Sequence, residues 1–206
     1  MEKQVNKDHY NFNRYSSPNR WASYYYQLKT ILDVEAKSIL EIGVGDKVIA
    51  SYIKNNTDLQ YQSLDIDPEL QPDIIGDITR INLPHNSYDA VCAFEVLEHI
   101  PFTEFEKALE GMRAISKKYV ILSLPHFGPP VLFACKIPFL KQIRFAKKIP
   151  YPQKHQFNGQ HYWEIGKKGY SIKKIREILQ KKFVLESEFI PFENQYHHFF
   201  ILRKND

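Results

Sequence analysis

The sequence predicts an α/β protein built on a doubly wound, mostly parallel sheet. Two observations carry that expectation. Short apolar runs alternate along the chain with stretches of helical period, the rhythm of a parallel sheet covered by helices on both faces. The first such run, Ser38-Ile39-Leu40-Glu41-Ile42, passes directly into Gly43-Val44-Gly45-Asp46, and a helical pattern (Val48, Ile49, Tyr52, Ile53) follows. Strand, glycine turn and helix start in that order bring backbone N–H groups against a bound nucleotide-like ligand. Glycine serves there because it tolerates the turn and has no Cβ to hold a ligand away.

The remaining elements follow in order. Residues 1–16 show no period and are assigned to no element. Ser17-Pro18 opens a helix, with Ser17 as N-cap and Pro18 at the first helical position, where a missing N–H costs nothing. Trp21, Tyr24, Tyr25, Leu28, Ile31 and Leu32 then recur at helical spacing. That stripe reads as core packing, with a lid over a ligand pocket as the alternative. A helix over about residues 46–54 follows the glycine turn. Residues 59–64 read as a second strand ending in Asp65-Ile66-Asp67-Pro68, and 73–75 as a short third strand closing on Gly76-Asp77-Ile78. The fourth, Tyr88 to Phe94, is apolar on both faces, as a central parallel strand should be. It runs into Glu95-Val96-Leu97-Glu98-His99-Ile100. Pro101 stands near the start of a helix with Phe102, Phe105, Leu109 and Met112 on one side, and residues 118–124 form a fifth strand ending in Pro125-His126. Residues 126–165, punctuated by prolines, break the rhythm and read as an insertion. Ser171 caps a helix that turns Ile172, Ile175, Ile178 and Leu179 inward. Two last strands, near 183–189 and 196–202, are joined by so short a link that an antiparallel hairpin is expected. No internal repeat is present.

Composition bounds the function. With 43% hydrophobic and 25% charged residues the chain is an ordinary globular protein with a substantial core. Residues 1–17 lack an apolar stretch, so no signal peptide is expected. No apolar run approaches the ~18–20 residues of a membrane span. Cys92 lies in a strand pattern and Cys135 in the insertion, which suggests neither a disulfide framework nor a metal site, and a reducing cytoplasm fits. The net charge of +4 is unevenly placed: residues 131–182 hold 13 Lys and Arg against two acids, and the rest of the chain is net acidic. Such asymmetry concerns partners rather than fold.

Two readings of the glycine turn compete. A nicotinamide-binding sheet wants G-x-G-x-x-G, but Val48 stands at the third glycine's place. The acid expected some 20 residues on is present as Asp65. The other reading gathers more residues. Glu41-x-Gly43-x-Gly45, Asp65, Gly76-Asp77-Ile78 and Tyr88-Asp89-Ala90-Val91 running into Glu95-Val96-Leu97-Glu98-His99 together resemble the class I S-adenosylmethionine-dependent methyltransferases. The resemblance covers about residues 36–125. It implies a Rossmann-like seven-stranded sheet with an antiparallel last strand, and one domain over residues 1–206. That domain divides into an N-terminal helical extension (1–35), a cofactor-binding core (36–125), a substrate-side insertion (126–165) and a closing helix and hairpin (166–206).

The resemblance also implies roles. Glu41 would orient the turn and the cofactor's amino group. Gly43 and Gly45 would let the backbone pass beside the methionine moiety. Asp65 would bind the ribose hydroxyls with Ile66 on the adenine. Asp77 would accept from the adenine amino group with Ile78 adjacent. Phe94 and Glu95 would border the methyl-sulfonium end. Lys47 stands where the family usually has a further glycine, so its side chain would either crowd the cofactor or pair with its carboxylate.

Methyl transfer from a sulfonium is an in-line displacement in which positioning supplies most of the catalysis; a base is needed only if the acceptor must lose a proton. The base candidates are His99, His126 and His161, the first two just beyond parallel strands where open α/β sheets bind ligands. A metal site built from His155, His161 and the cysteines lacks ligand spacing, and none is expected. The resembled family's DNA-amino and glutamine methylating members carry an Asn-Pro-Pro-aromatic motif after the fourth strand, and its absence here argues against those acceptors. The expected function is therefore methylation, at O or C, of a small-molecule or lipid-like acceptor. The alternatives are a nicotinamide-dependent oxidoreductase and a non-catalytic scaffold of the same fold.

The insertion interleaves Phe133, Ile137, Phe139, Leu140, Ile143 and Phe145 with Lys136, Lys141, Arg144, Lys147 and Lys148. It reads either as a lid whose apolar side covers the sheet, or as a surface for an anionic membrane or an anionic or lipid-like substrate. A nucleic-acid partner is disfavoured, since no RNA-binding module accompanies the charge.

Overall fold

The computed structural model describes residues 4–205. A single turn at Lys7–Tyr10 and a short helix α1 (Phe12–Tyr15) precede α2 (Pro18–Asp33). The alternating part follows as β1 (Ser38–Ile42), α3 (Val48–Asn56), β2 (Gln60–Asp65), β3 (Ile74–Ile75), β4 (Tyr88–Phe94), α4 (Phe102–Ile115) and β5 (Ser116–Pro125). Next comes a hairpin, β6 (Pro130–Cys135) and β7 (Ile143–Lys148), and the described chain closes with α5 (Ile172–Gln180), β8 (Phe183–Phe189) and β9 (His197–Lys204). The expected cap at Ser17 is present: its Oγ accepts from the Arg20 N–H at 3.1 Å. Ser171 does the same for Lys174 at 3.2 Å.

Seven strands form one sheet in the order β3-β2-β1-β4-β5-β9-β8, with β9 antiparallel to both neighbours and the other strands parallel. The chain winds outward from β1 to β3, then returns to place β4 on β1's other side. That reversal opens a crevice at the C-terminal ends of β1 and β4.

Period-two alternation divides the core between the two faces. Ile39, Ala90, Cys92, Ile121 and Phe199 pack with Ile31 of α2 and Ile49 and Ile53 of α3. Leu40, Ile42, Val91, Ala93 and Phe200 pack on the other face with Phe105, Leu109 and Met112 of α4, Ile175 and Leu179 of α5, and Trp163. Both faces of β4 are thus covered, which is why its sequence shows no polar alternation.

The insertion departs from one of its two expected forms. Its first part is an antiparallel hairpin with Pro130 opposite Lys148 and Cys135 opposite Ile143. Val131, Leu132, Phe133, Phe139, Ile143 and Phe145 are all exposed, so no apolar side of the hairpin is laid over the sheet. Phe133 and Phe145 stack across the strands at 5.3 Å between ring centroids. Arg144 ties the hairpin to the Glu193 carboxylate at 2.6 Å. Among the described residues no helix is long and apolar enough to cross a membrane.

Candidate functional site: a cofactor crevice and its acidic edge

The crevice is a pocket lined by the glycine turn (Glu41 to Asp46), the end of β2 (Leu64 to Asp67), Gly76 and Ile78, and the end of β4 (Phe94 to Val96, with His99). Gly43 has φ +83° and Gly45 φ +50°, the left-handed region. A Cβ on Gly43 would lie 2.4 Å from a methyl of Val96, so the floor has no room for a side chain there. The turn is held from across the sheet. One Asp65 carboxylate oxygen accepts from the Val44 N–H at 2.9 Å and the other from the Asp67 N–H at 2.9 Å. Asp65 nevertheless lines the pocket, and each oxygen keeps a second lone pair. Beneath it Glu41 is buried and accepts from the Tyr61 hydroxyl. Burial raises its pKa to about 8.

The structure sorts the expected site residues. Glu41, Gly43, Gly45, Asp65, Ile66, Ile78, Phe94, Glu95 and His99 all line this pocket. Lys47 does not. It is the residue before α3 with φ +63°, the conformation a further glycine would adopt readily. Its ammonium reaches outward to the Gln71 carbonyl at 3.3 Å, away from the crevice. Asp77 also lies outside the lining. Its carboxylate caps the turn Ile78–Arg80 by accepting from the Thr79 N–H at 2.8 Å. His126 is removed from the crevice as well: it is buried with its Nδ1 2.9 Å from that of His198. Burial and the nearby Lys148 and Arg176 charges push its pKa down to about 4.

Sequence reasoning missed one whole wall. Gln4, Val5, Tyr10 and Tyr15 from the segment assigned to no element, with Arg20, Tyr24 and Gln27 of α2, close the pocket's open side. The Tyr24 hydroxyl donates to Asp46 of the turn. The α2 stripe therefore serves both readings. Ile31 is core and Tyr24 is pocket wall, while Trp21 and Tyr25 face solvent. The only signal was the density of tyrosines in an aperiodic stretch.

Beyond β4 the chain makes a tight turn. Glu95 adopts φ +55°, uncommon for a residue with a side chain and a conformation that gathers at functional sites. The turn is locked by the insertion's end. Trp163 Nε1 donates to the carbonyls of Leu97 (3.1 Å) and Ile100 (3.2 Å), and the Tyr162 N–H donates to that of Glu98 (2.8 Å). This docking sets the His161 ring edge-on against His99 at 5.1 Å. His161 Nδ1 lies 3.0 Å from Glu164. His99 Nδ1 lies 2.6 Å from the Gln4 side-chain carbonyl oxygen. Burial, reinforced by His161, holds the His99 pKa down to about 4. Burial raises the carboxyls of both Glu95 and Glu98 far above the usual range.

A strand-switch crevice with a side-chain-free turn and a buried acid at the neighbouring strand's end suits an adenosine-type ligand. Comparison with known proteins agrees. Residues 40–123 match the profile described as "Methyltransferase domain". Among solved structures, N-methyltransferase NodS from Bradyrhizobium japonicum WM9, crystallised with S-adenosyl-L-homocysteine, superposes with TM-score 0.64 at 11% identity, covering 98% of this chain and 95% of that one. The 1,6-didemethyltoxoflavin-N1-methyltransferase from Burkholderia thailandensis superposes with TM-score 0.59 at 12% identity, over 93% and 92% of the two chains. The small RNA methyltransferase HEN1 superposes with TM-score 0.64 at 14% identity, over all of this chain and 26% of that one. No curated protein matches by sequence. Residues 40–123 are thus similar to a methyltransferase domain, and the seven-stranded sheet that carries them has the fold of these solved methyltransferases.

Proposed function

We propose that the protein transfers a methyl group from S-adenosylmethionine to a small, lipid-like acceptor, at oxygen or carbon. The observation that carries the donor assignment is the cradle itself: two left-handed glycines over a floor where a Cβ would strike Val96, with Asp65 beside it. Gly43 and Gly45 leave the backbone open to the methionine moiety. Asp65 offers its remaining lone pairs to the ribose hydroxyls, Ile66 and Ile78 supply apolar contact for the adenine, and Glu41 steadies the turn from below. Phe94 and Glu95 border the reacting end. S-adenosylmethionine supplies an electrophilic methyl on a good leaving group, so the chain's own task is alignment and exclusion of water. The tyrosine wall of the N-terminal segment does the excluding. Where the acceptor carries a proton, the imidazole at the pocket's edge is His99, with His161 behind it.

The hairpin supports a lipid-like acceptor. Its exposed Phe133, Phe139, Ile143 and Phe145 stand among Lys136, Lys141, Lys147 and Lys148. Apolar side chains rimmed by cations suit the interface of an anionic membrane. Incubation with methyl-labelled S-adenosylmethionine and either a total lipid extract or a small-RNA pool tests the reading. Label should enter the solvent-extractable lipid fraction. Label in RNA alone would contradict the acceptor class.

A further inference from the structure

At the outer edge of the crevice, Glu98, His99 and His161 converge so that one ligand atom of each lies within 4.8 Å of the other two. The Glu98 carboxylate is fully buried, and among the described residues neither of its oxygens has a hydrogen-bond partner; Glu95 Oε1, one turn away, is also buried without one there. Two neighbouring carboxyls in that state are costly, because a buried polar group without a partner forfeits its hydration for nothing. The imidazoles are prepared differently. His99 Nδ1 faces two carbonyl oxygens, of the Gln4 side chain (2.6 Å) and the Gln160 backbone (3.2 Å). It must therefore carry the proton, which leaves Nε2 with the lone pair. That Nε2 stands 4.0 Å from Glu98 Oε1. His161 Nδ1 is turned to the Glu164 carboxylate at 3.0 Å, which fixes the same tautomer. A carboxylate or carbonyl behind each ring nitrogen, with the other nitrogen bare, is how metal-ligating histidines are held.

We infer that Glu98, His99 and His161 form a site for a divalent first-row transition-metal ion, with its open side toward the pocket. Two imidazoles and one carboxylate are a known set for such ions, leaving positions for outside ligands. Ligands about 2.1 Å from a metal lie roughly 3–3.5 Å apart, so small side-chain rotations close the site. Glu95 stands beside Glu98 as further negative charge, with its other oxygen 3.5 Å from His197 Nε2. Arg20 is the cation on the pocket wall, where its guanidinium lies 4.2 Å from the centre of the Tyr15 ring. His99 itself lines the pocket, so the open coordination positions face the acceptor side. There the ion would hold an acceptor oxygen and favour its deprotonated form, in place of His99 as base. Only that last role rests on the methyltransferase reading.

The test is titration of chelator-treated full-length protein with Mn²⁺, followed by electron paramagnetic resonance and thermal melting, with S-adenosylhomocysteine titrated into the same samples. One Mn²⁺ per chain is expected, with a rise in Tm. Glu98→Gln and His161→Ala should each weaken binding more than tenfold and abolish the Tm rise. Glu98→Gln should also melt higher than the wild type in the absence of metal, because it removes a buried unpartnered carboxylate. If Glu98→Gln does not fold, His161→Ala decides alone. Absence of a stoichiometric site, or equal affinity in a folded variant and the wild type, overturns the cation site. Metal binding without S-adenosylhomocysteine binding would instead overturn the methyltransferase reading and leave the site standing.

Discussion

At the scale of single residues, the glycine turn and Asp65 make opposite demands on a mutant. Gly43→Ala places a Cβ 2.4 Å from Val96 at φ +83°. Backbone strain of this kind costs ~1–3 kcal/mol, and the clash adds to it. A lowered Tm is expected, partly restored by Val96→Ala, which relieves the clash and leaves the strain; full restoration would mean that the dihedral carries no cost. Asp65→Asn keeps the side chain's shape but removes charge and one acceptor. It should weaken S-adenosylhomocysteine binding by ~1–3 kcal/mol, about 5- to 150-fold, while the protein stays folded. Unchanged affinity by calorimetry would contradict the ribose assignment. Glu41 gives a pH signature. Its carboxyl ionises near the ordinary value of 4.5 in the unfolded chain and near about 8 in the folded one. Between those values the folded state holds a proton that the unfolded state has lost, so this group's contribution to stability declines as pH rises through that window. Glu41→Gln carries no such proton, so denaturant melts should show its stability relative to the wild type increasing from pH 5 to pH 8.

At the scale of elements, what the sequence disclosed follows from how each element is stabilised. β1 and β4 are buried on both faces and announce themselves as apolar runs, and the Ser17 and Ser171 caps mark their helices through local chemistry. The β6–β7 hairpin escaped because it packs on nothing with period two: apolar and basic side chains are exposed on both of its faces. The wall made by Gln4, Tyr10 and Tyr15 escaped for a related reason, since short aperiodic segments are ordered by the surface they lie on. Glu98 reads in sequence as a helix-start residue, and only the docking of Trp163 beneath Leu97 and Ile100 reveals it as buried. Lys47 and Asp77 show the converse, since a motif position assigned a cofactor contact is occupied by local turn chemistry instead. The hairpin should be separable from the core. Serine at Phe133, Phe139 and Phe145 together should leave Tm unchanged, as these side chains support no buried contact, and reduce sedimentation with anionic phosphatidylglycerol vesicles at least tenfold. Equal sedimentation would remove the membrane role.

At the scale of the molecule, the fold explains why the chemistry gathers at one edge. The strand-order reversal between β1 and β4 opens a crevice there, and each parallel strand delivers a loop to the same side. The reversed β9 brings His197 to the Glu95 side of that crevice from the opposite direction. The N-terminal segment then closes its open side, and Trp163 locks the turn after β4 at its edge. The basic stretch 131–182 includes the hairpin, so donor pocket and charged surface belong to different parts of one chain. The central claim is that this crevice takes an adenosyl sulfonium donor rather than a dinucleotide. The most direct measurement is calorimetric titration with S-adenosylhomocysteine and NADH in parallel, on the wild type and Asp65→Asn. Stoichiometric S-adenosylhomocysteine binding that weakens in the variant, with no heat from NADH, is the predicted result; NADH binding with no response to S-adenosylhomocysteine would contradict it.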